Sequence, residues 1–111
     1  MTTKKNKKNK SFWTKNPMTY VDFKKPLVER LPKKKKHFNI INKKLIISNP
    51  DFLNIIKKYK RNMLGKTVLD LGCGFGSSTL ILSKYAKKIF AIDLTHPAVK
   101  NAKKNMKINK I

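Results

Sequence analysis

The stretch KTVLDLGCGFG at residues 66–76, followed by IFAID at residues 89–93, decides the fold of this chain. The first stretch begins with a run of β-branched and leucine residues of strand length, and the second is another such run. Three of the four glycines in the chain follow the first strand, at Gly72, Gly74 and Gly76. A strand that enters a helix through a glycine-rich loop and is followed by another strand is typical of a parallel α/β sheet.

Helical patterns flank both strands. Apolar residues recur at intervals of three and four in residues 50–64, which predicts an amphipathic helix that ends at Gly65. A second helix is predicted after the glycines, over residues 77–87. Thr95 is a good N-cap for a last helix, with Pro97 in its first turn. The resulting order of helix, strand, loop, helix, strand and helix predicts the first βαβα unit of a doubly wound parallel sheet.

This unit is only part of such a sheet, because parallel sheets usually have more strands and are covered on both faces. We therefore expect the chain to be truncated, marginally stable and without turnover on its own.

Three segments are predicted. Residues 1–10 form a disordered basic arm with no apolar side chain beyond Met1, residues 11–49 form an irregular aromatic-rich extension, and residues 50–111 form the start of the α/β domain.

The chain is strongly basic, with a formal net charge of +23 over 111 residues. Lysine is far more frequent than arginine, with 26 residues against 2, and phosphate-binding surfaces usually use more arginine. The excess therefore favours a general compositional bias. An electrostatic surface for RNA or anionic lipid stays open as the alternative, because a field of this size attracts polyanions.

Several classes of protein are excluded by composition. One cysteine excludes a disulfide framework and a cysteine-rich zinc site, and no metal site is predicted. No apolar run approaches the roughly 18 residues that span a bilayer, so no membrane association is predicted. The basic N-terminus lacks the apolar core of a signal peptide, which predicts a cytoplasmic location.

The glycine loop and two carboxylates form the candidate binding site. Glycines at 72 and 74 let the backbone approach a ligand at the carboxyl ends of the strands, and Asp93 at the end of the second strand can accept both hydroxyls of an adenosine ribose. A dinucleotide fingerprint places its third glycine where this chain has Ser77. Asp70 would oppose a pyrophosphate but favour the sulfonium and ammonium groups of S-adenosylmethionine.

At these residues the chain resembles the class I S-adenosylmethionine-dependent methyltransferases. VLDLGCGFGSST at residues 68–79 is similar to their first motif, and AIDLT at residues 91–95 is similar to their second. The resemblance implies an incomplete Rossmann-like class I methyltransferase fold with S-adenosylmethionine as the cofactor. It implies that the cofactor-binding residues are Asp70, Gly72, Cys73, Gly74, Gly76, Asp93 and Leu94.

The resemblance also implies a role for each of these residues. The loop residues 72–74 and Gly76 line the methionine end, and Asp70 orients the amino group. Asp93 holds the ribose, and Leu94 packs on the adenine. The helix N-terminus is expected to lower the pKa of the Cys73 thiol, although the residue is not assigned as a nucleophile.

The acceptor is predicted from a narrower resemblance. IDLTHPAVKNAKKN at residues 92–105 is similar to a branch that methylates small molecules, so a small-molecule acceptor is implied, with nucleic acid as the less favoured partner. FWTKNPMTYVDF at residues 12–23 resembles the N-terminal segment of some bacterial members, in which Trp13 and Tyr20 would close over the site.

No catalytic residue is assigned, because the motifs that follow the third and fourth strands of the family have no counterpart in this sequence. His37 and His96 are predicted to be exposed or capping residues. The alternatives to a methyltransferase are a lysine-rich nucleic-acid-binding module, a non-catalytic cofactor-binding remnant and, less favoured because of its glycine spacing, a fragment of an NAD-dependent oxidoreductase.

Overall fold

A computed structural model of the chain describes residues 3–19 and 24–111. Two strands form a parallel sheet, in which Thr67 pairs with Lys88 and Leu71 with Ile92. In chain order the elements are α1 (Lys4–Lys15), α2 (Leu27–Arg30), α3 (Lys35–Ser48), α4 (Phe52–Met63), β1 (Thr67–Leu71), α5 (Ser77–Leu82), β2 (Lys88–Ile92) and α6 (His96–Ile108). The predicted α/β class and the predicted βαβα unit are confirmed.

The elements around the glycine loop lie close to their predicted positions, with one exception. Helix α5 ends at Leu82, five residues before the predicted end. Backbone pairing explains the difference, because Ala86 forms an antiparallel bridge with Leu64, and the amide of Lys87 donates to the carbonyl of Lys66. These bonds take the chain out of the helix and into β2.

The N-terminal part is more helical than predicted. Residues 4–10 were predicted to be disordered, yet they belong to α1, which buries no residue. A local cap explains the helix, since the Thr3 hydroxyl accepts a hydrogen bond from the amide of Asn6. The extension predicted to be irregular also contains α2 and α3, and α3 buries Phe38 and Ile41.

The hydrophobic core lies between the helices and one face of the sheet. Its main cluster joins Ile56 and Met63 of α4 to Ile81 and Leu82 of α5. A smaller cluster, closer to the glycine loop, contains Ile41, Phe75 and Ala98. Burial of apolar surface in these clusters, at about 25 cal/mol per Å², holds α3 and α6 against the loop.

The other face of the sheet is exposed and apolar. Its large apolar side chains are Leu69 and Leu71 of β1 and Phe90 and Ile92 of β2, all of which are exposed. Strand residues alternate between faces, so the intervening residues, such as Val68 and Asp70, point toward the helices. No helix among residues 3–19 and 24–111 has the length and hydrophobicity needed to cross a membrane.

Candidate ligand-binding site

A cavity of about 310 Å³ lies at the carboxyl ends of the two strands. This is the edge of an open α/β sheet at which ligands bind. The loop after β1 and the residues after β2 form one side of the cavity, and the C-terminal part of α1 and the residues after it form another. The lining residues are Trp13, Pro17, Met18, Gly72, Gly74, Phe75, Asp93, Leu94, Thr95 and Ala98.

The glycine loop is pinned to the end of β2. The amides of Gly72 and Cys73 both donate to the carbonyl of Ile92, at 2.9 Å each. Gly74 has a φ of +54°, and its amide donates to Asp93. A Cβ atom added at Gly72 or Gly74 would meet no protein atom within 4 Å, so open space lies beside the loop backbone. This space suits the close approach of a ligand.

Asp93 joins the glycine loop to the start of α6. One carboxylate oxygen, Oδ2, accepts from the amide of Gly74 at 2.9 Å, and the other, Oδ1, accepts from the amide of Thr95 at 3.0 Å. The Thr95 hydroxyl in turn accepts from the amide of Ala98 and caps α6. The Thr95 hydroxyl also donates to Oδ1 at 3.5 Å. A carboxylate has about four acceptor positions, so these three donors hold the half-buried side chain in place and leave acceptor capacity for a ligand at Oδ2.

Asp70 lies behind the loop and does not line the cavity. Its side chain is 9% exposed, and its Oδ2 atom accepts from the hydroxyls of Ser78 at 2.8 Å and Thr79 at 2.7 Å. These bonds fasten β1 to the first turn of α5. Neither hydroxyl residue was predicted as part of the site, although their position directly after the glycines was a visible signal.

Cys73 and Gly76 are also absent from the cavity lining. Gly76 is buried against α6: an added Cβ atom would lie 2.8 Å from Cε of Met106 and 3.2 Å from Cα of Ala102. The glycine is therefore required by helix packing as well as by its φ of +88°. The Cys73 thiol is buried and donates to the carbonyl of Gly74 at 3.6 Å.

The pKa of the Cys73 thiol is raised, whereas the sequence predicted that it would be lowered. Burial, followed by the negative charges of Asp93 and Asp70, raises the pKa of Cys73 to about 11. The thiol is therefore protonated near neutral pH, which agrees with its not being assigned as a nucleophile. The two aspartates also make the loop locally negative in a strongly basic chain.

Side chains of the N-terminal part stand at the mouth of the cavity. Trp13 lines it and contacts the ring of Phe12 edge-to-face, with 5.1 Å between the ring centres. Leu94, predicted to pack on adenine, lines the cavity and is half-exposed. Tyr20, which was predicted to close over the site, lies outside the described residues.

The two histidines lie outside the cavity lining. Nδ1 of His37 accepts from the amides of Lys33 and Lys34 and caps α3, as predicted. His96 is exposed and is the first residue of α6, which agrees with its predicted position at the helix start.

A buried asparagine pair supports the glycine loop from behind. The Asn105 side chain is fully buried, and its amide nitrogen donates to the carbonyl of Phe75 at 2.9 Å and to Oδ1 of Asn42 at 2.8 Å. Asn42 donates back to Asn105 at 3.1 Å and also accepts from the Ser77 hydroxyl. The pair joins α3, α6 and the loop. The sequence contains eleven asparagines and offers no signal that distinguishes these two.

Comparisons with known proteins point to one class of enzyme. The model of a family described as ribosomal protein L11 methyltransferase (PrmA) matches residues 52–111. An uncharacterized RNA methyltransferase of Chlamydia caviae is 36% identical over 58 residues, which cover 52% of this chain and 14% of the relative. No significant match is found among solved structures.

Two further relatives are named for their acceptors. A ribosomal protein L11 methyltransferase of Acetivibrio thermocellus is 40% identical over 58 residues, covering 51% of this chain and 18% of the relative. A tRNA (uracil(54)-C(5))-methyltransferase of Pyrococcus horikoshii is 36% identical over 59 residues, covering 53% of this chain and 14% of the relative. The matched part is thus a small share of each relative.

These names correct one prediction. The preference for a small-molecule acceptor over nucleic acid is wrong, because the relatives are named for RNA, tRNA and a ribosomal protein. The narrower resemblance of residues 92–105 had carried that preference. Residues 96–105 of that stretch lie in α6.

Proposed function

The chain belongs to the family described as ribosomal protein L11 methyltransferase (PrmA), and from this membership we propose that it binds S-adenosylmethionine and provides the cofactor-binding residues of a methyltransferase that acts on RNA. The resemblance to S-adenosylmethionine-dependent methyltransferases is thereby confirmed. The proposal treats residues 50–111 as the start of the cofactor-binding domain, and it assigns the chain a cofactor-binding role and no catalytic base.

The position of Asp93 carries this proposal. Its carboxylate lies at the end of β2, lines the cavity and is held by the amides of Gly74 and Thr95. Its remaining acceptor capacity, at Oδ2, suits a ribose hydroxyl, since hydrogen bonds to a charged acceptor are about twice as strong as neutral ones. Leu94 offers an apolar surface beside it for the adenine ring.

The size of the cavity and the open space at the loop agree with this ligand. Binding pockets for small molecules have volumes of about 300 to 1,000 Å³, and this cavity is about 310 Å³. Gly72 and Gly74 border it without a Cβ atom in the way. In the proposal these two residues lie along the methionine end of the cofactor.

The local charge supports a sulfonium cofactor over a dinucleotide. Asp93 and Asp70 both raise the pKa of the Cys73 thiol, which means that the loop favours positive charge. When bound, S-adenosylmethionine supplies a methyl group on a positively charged sulfur for in-line transfer to a nucleophile. The carboxylates favour that cation and would disfavour a pyrophosphate.

Asp70, Cys73 and Gly76 have supporting roles in this proposal. Asp70 orients the loop through its bonds to Ser78 and Thr79 at the start of α5. Cys73 fixes the loop through its amide, and Gly76 allows α6 to pack closely. These residues shape the backbone that faces the cofactor, whereas Asp93 contacts it.

Calorimetry with S-adenosylmethionine tests the assignment of Asp93. Asp93→Ala should weaken binding by about 1 to 3 kcal/mol, because charge-assisted hydrogen bonds to the ribose are lost. Asp51→Ala is the matched control, since Asp51 is an exposed carboxylate that makes no side-chain cap bond. Equal affinity in the Asp93 and Asp51 variants, or tighter binding of NAD than of S-adenosylmethionine, would contradict the proposal.

RNA is proposed as the acceptor because two of the three relatives described above are named for RNA or tRNA and because the chain carries a net charge of +23. A cytoplasmic location agrees with that acceptor. A ribosomal protein is the second candidate, and the family description and the relative from Acetivibrio thermocellus favour it. The RNA-binding experiment described next tests the first candidate.

A further inference from the structure

Helices α1 and α6 are in contact and carry exposed lysines without any acidic residue. The lysines of α1 are Lys4, Lys5, Lys7, Lys8, Lys10 and Lys15, and those of α6 are Lys100, Lys103, Lys104 and Lys107. All of them are exposed. The two helices therefore form a continuous basic surface with no internal charge compensation, which attracts polyanions.

One stripe of α1 combines this charge with an aromatic ring. Lys4, Lys8, Phe12 and Lys15 follow one another at intervals of four, four and three residues, so they lie on one face of the helix. Phe12 is 55% exposed although it is a large apolar residue. Its ring contacts Trp13, which lines the cavity at the glycine loop. The stripe thus reaches the mouth of the candidate cofactor site.

We propose that this stripe of three lysines and Phe12 is a docking surface for single-stranded RNA, which it holds at the mouth of the cavity. The lysines contact backbone phosphates, and the rings of Phe12 and Trp13 stack with bases. The inference rests on the proposed function, because that function provides the reason for RNA to reach this cavity.

The aromatic pair distinguishes RNA from an acidic protein as the partner. An acidic protein surface would pair with the lysines but has no general need for an exposed ring beside them, whereas every nucleobase has a face that stacks. The stripe also differs from the other lysine-rich helices. Helix α4 carries Lys57, Lys58 and Lys60 on an exposed surface, but α4 contributes no residue to the cavity lining.

Fluorescence anisotropy with a labelled single-stranded RNA tests the surface at several salt concentrations and without cofactor. Each lysine that contacts a phosphate contributes about 0.7 to the slope of log affinity against log salt for single strands. The combined substitution of Lys4, Lys8 and Lys15 by Gln should therefore lower that slope by about 2. The control substitutes Lys57, Lys58 and Lys60 by Gln, which removes the same charge from α4 and should leave the slope unchanged.

The aromatic contribution is measured separately. Phe12→Leu keeps an apolar side chain but removes the stacking face, and it should lower RNA affinity by about tenfold at every salt concentration. Phe12→Tyr should restore the affinity. Circular dichroism checks that α1 is retained, which is expected because Lys and Gln have similar helix propensities.

Three results would overturn the inference. The first is that the two sets of three lysine substitutions lower the salt slope equally. The second is that the Phe12→Leu variant binds RNA as well as the parent chain does. The third is that polyglutamate displaces RNA as effectively as unlabelled RNA does. These results leave the proposed function standing if S-adenosylmethionine still binds in calorimetry with its dependence on Asp93. If S-adenosylmethionine binding does not depend on Asp93 while the RNA results are as expected, only the proposed function is contradicted.

Discussion

Replacing Gly76 by alanine should destabilise the chain more than the same change at Gly65. Both glycines have positive φ, +88° and +71°, so both substitutions place a Cβ atom in the left-handed region. At Gly65 the new atom meets nothing within 4 Å. At Gly76 it would lie 2.8 Å from Cε of Met106 and 3.2 Å from Cα of Ala102. The two variants therefore share the backbone effect and differ in packing.

The expected magnitudes follow from these two contributions. The left-handed conformation costs an alanine about 1 to 2 kcal/mol relative to glycine, which applies at both positions. Overpacking typically adds about 1 to 3 kcal/mol. The end of the Met106 side chain can move aside, but Cα of Ala102 belongs to the backbone of α6 and yields only if the helix shifts. We therefore expect Gly76→Ala to lower the free energy of unfolding by about 2 kcal/mol more than Gly65→Ala does.

Urea unfolding followed by circular dichroism measures the difference. The free energy of unfolding falls by about 2 kcal/mol per M urea, so the urea concentrations at the unfolding midpoints of the two variants should differ by about 1 M. Adding Met106→Ala to Gly76→Ala should recover part of the loss, because it removes the shorter contact and leaves that with Ala102. Equal midpoints for the Gly76 and Gly65 variants would refute the argument that α6 packs too closely on the loop to admit a side chain.

The remaining predictions concern the polar groups behind the loop. Thr79→Val should cost about 1 to 3 kcal/mol in urea unfolding, because it removes a hydrogen bond to the buried carboxylate of Asp70; an unchanged midpoint would mean that the bond is not formed. Asn105→Leu should cost about 2 to 4 kcal/mol, and its combination with Asn42→Leu should cost less than the sum of the two single changes, because the first change already breaks the amide pair. Additive costs would show that the two side chains act independently. Because folding raises the pKa of Cys73 from 9.0 to about 11, the unfolded state loses its proton first, and stability should decline as the pH rises from 9 toward 11. Alkylation of the folded protein by iodoacetamide should accordingly remain slow at pH 9 and rise toward pH 11; a rate that already levels off near pH 9 would contradict the raised value.

The predicted elements were reliable where a strong local pattern determines the structure. The apolar spacing of α4, the Thr95 cap of α6 and the two strands all appear within about two residues of their predicted bounds. Helix α1 was missed because it has no apolar pattern and is supported by a local cap at Thr3. The early end of α5 depends on the bridge between Leu64 and Ala86, a contact between distant segments that periodicity does not encode.

The candidate site also contains residues that a local pattern predicts and residues that only long-range packing brings together. Gly72, Gly74 and Asp93 line the cavity, and the sequence pattern had placed all three at the carboxyl ends of the strands. Leu94 also lines it, and only the family resemblance had implied that residue. The bond between Asn42 and Asn105 joins residues separated by 63 positions, so only the packing of α3 on α6 brings them together. The sequence alone also did not reveal that Gly76 faces a helix and not the cavity.

The arrangement at Asp93 has a consequence for dynamics. One side chain accepts hydrogen bonds from the amides of two different segments, Gly74 in the glycine loop and Thr95 at the start of α6. A ligand that fixes this carboxylate would thereby steady both segments at once. Amide hydrogen exchange at these two positions should then slow together when a ribose-bearing ligand is added, and the loop and the helix start would behave as one cooperative unit.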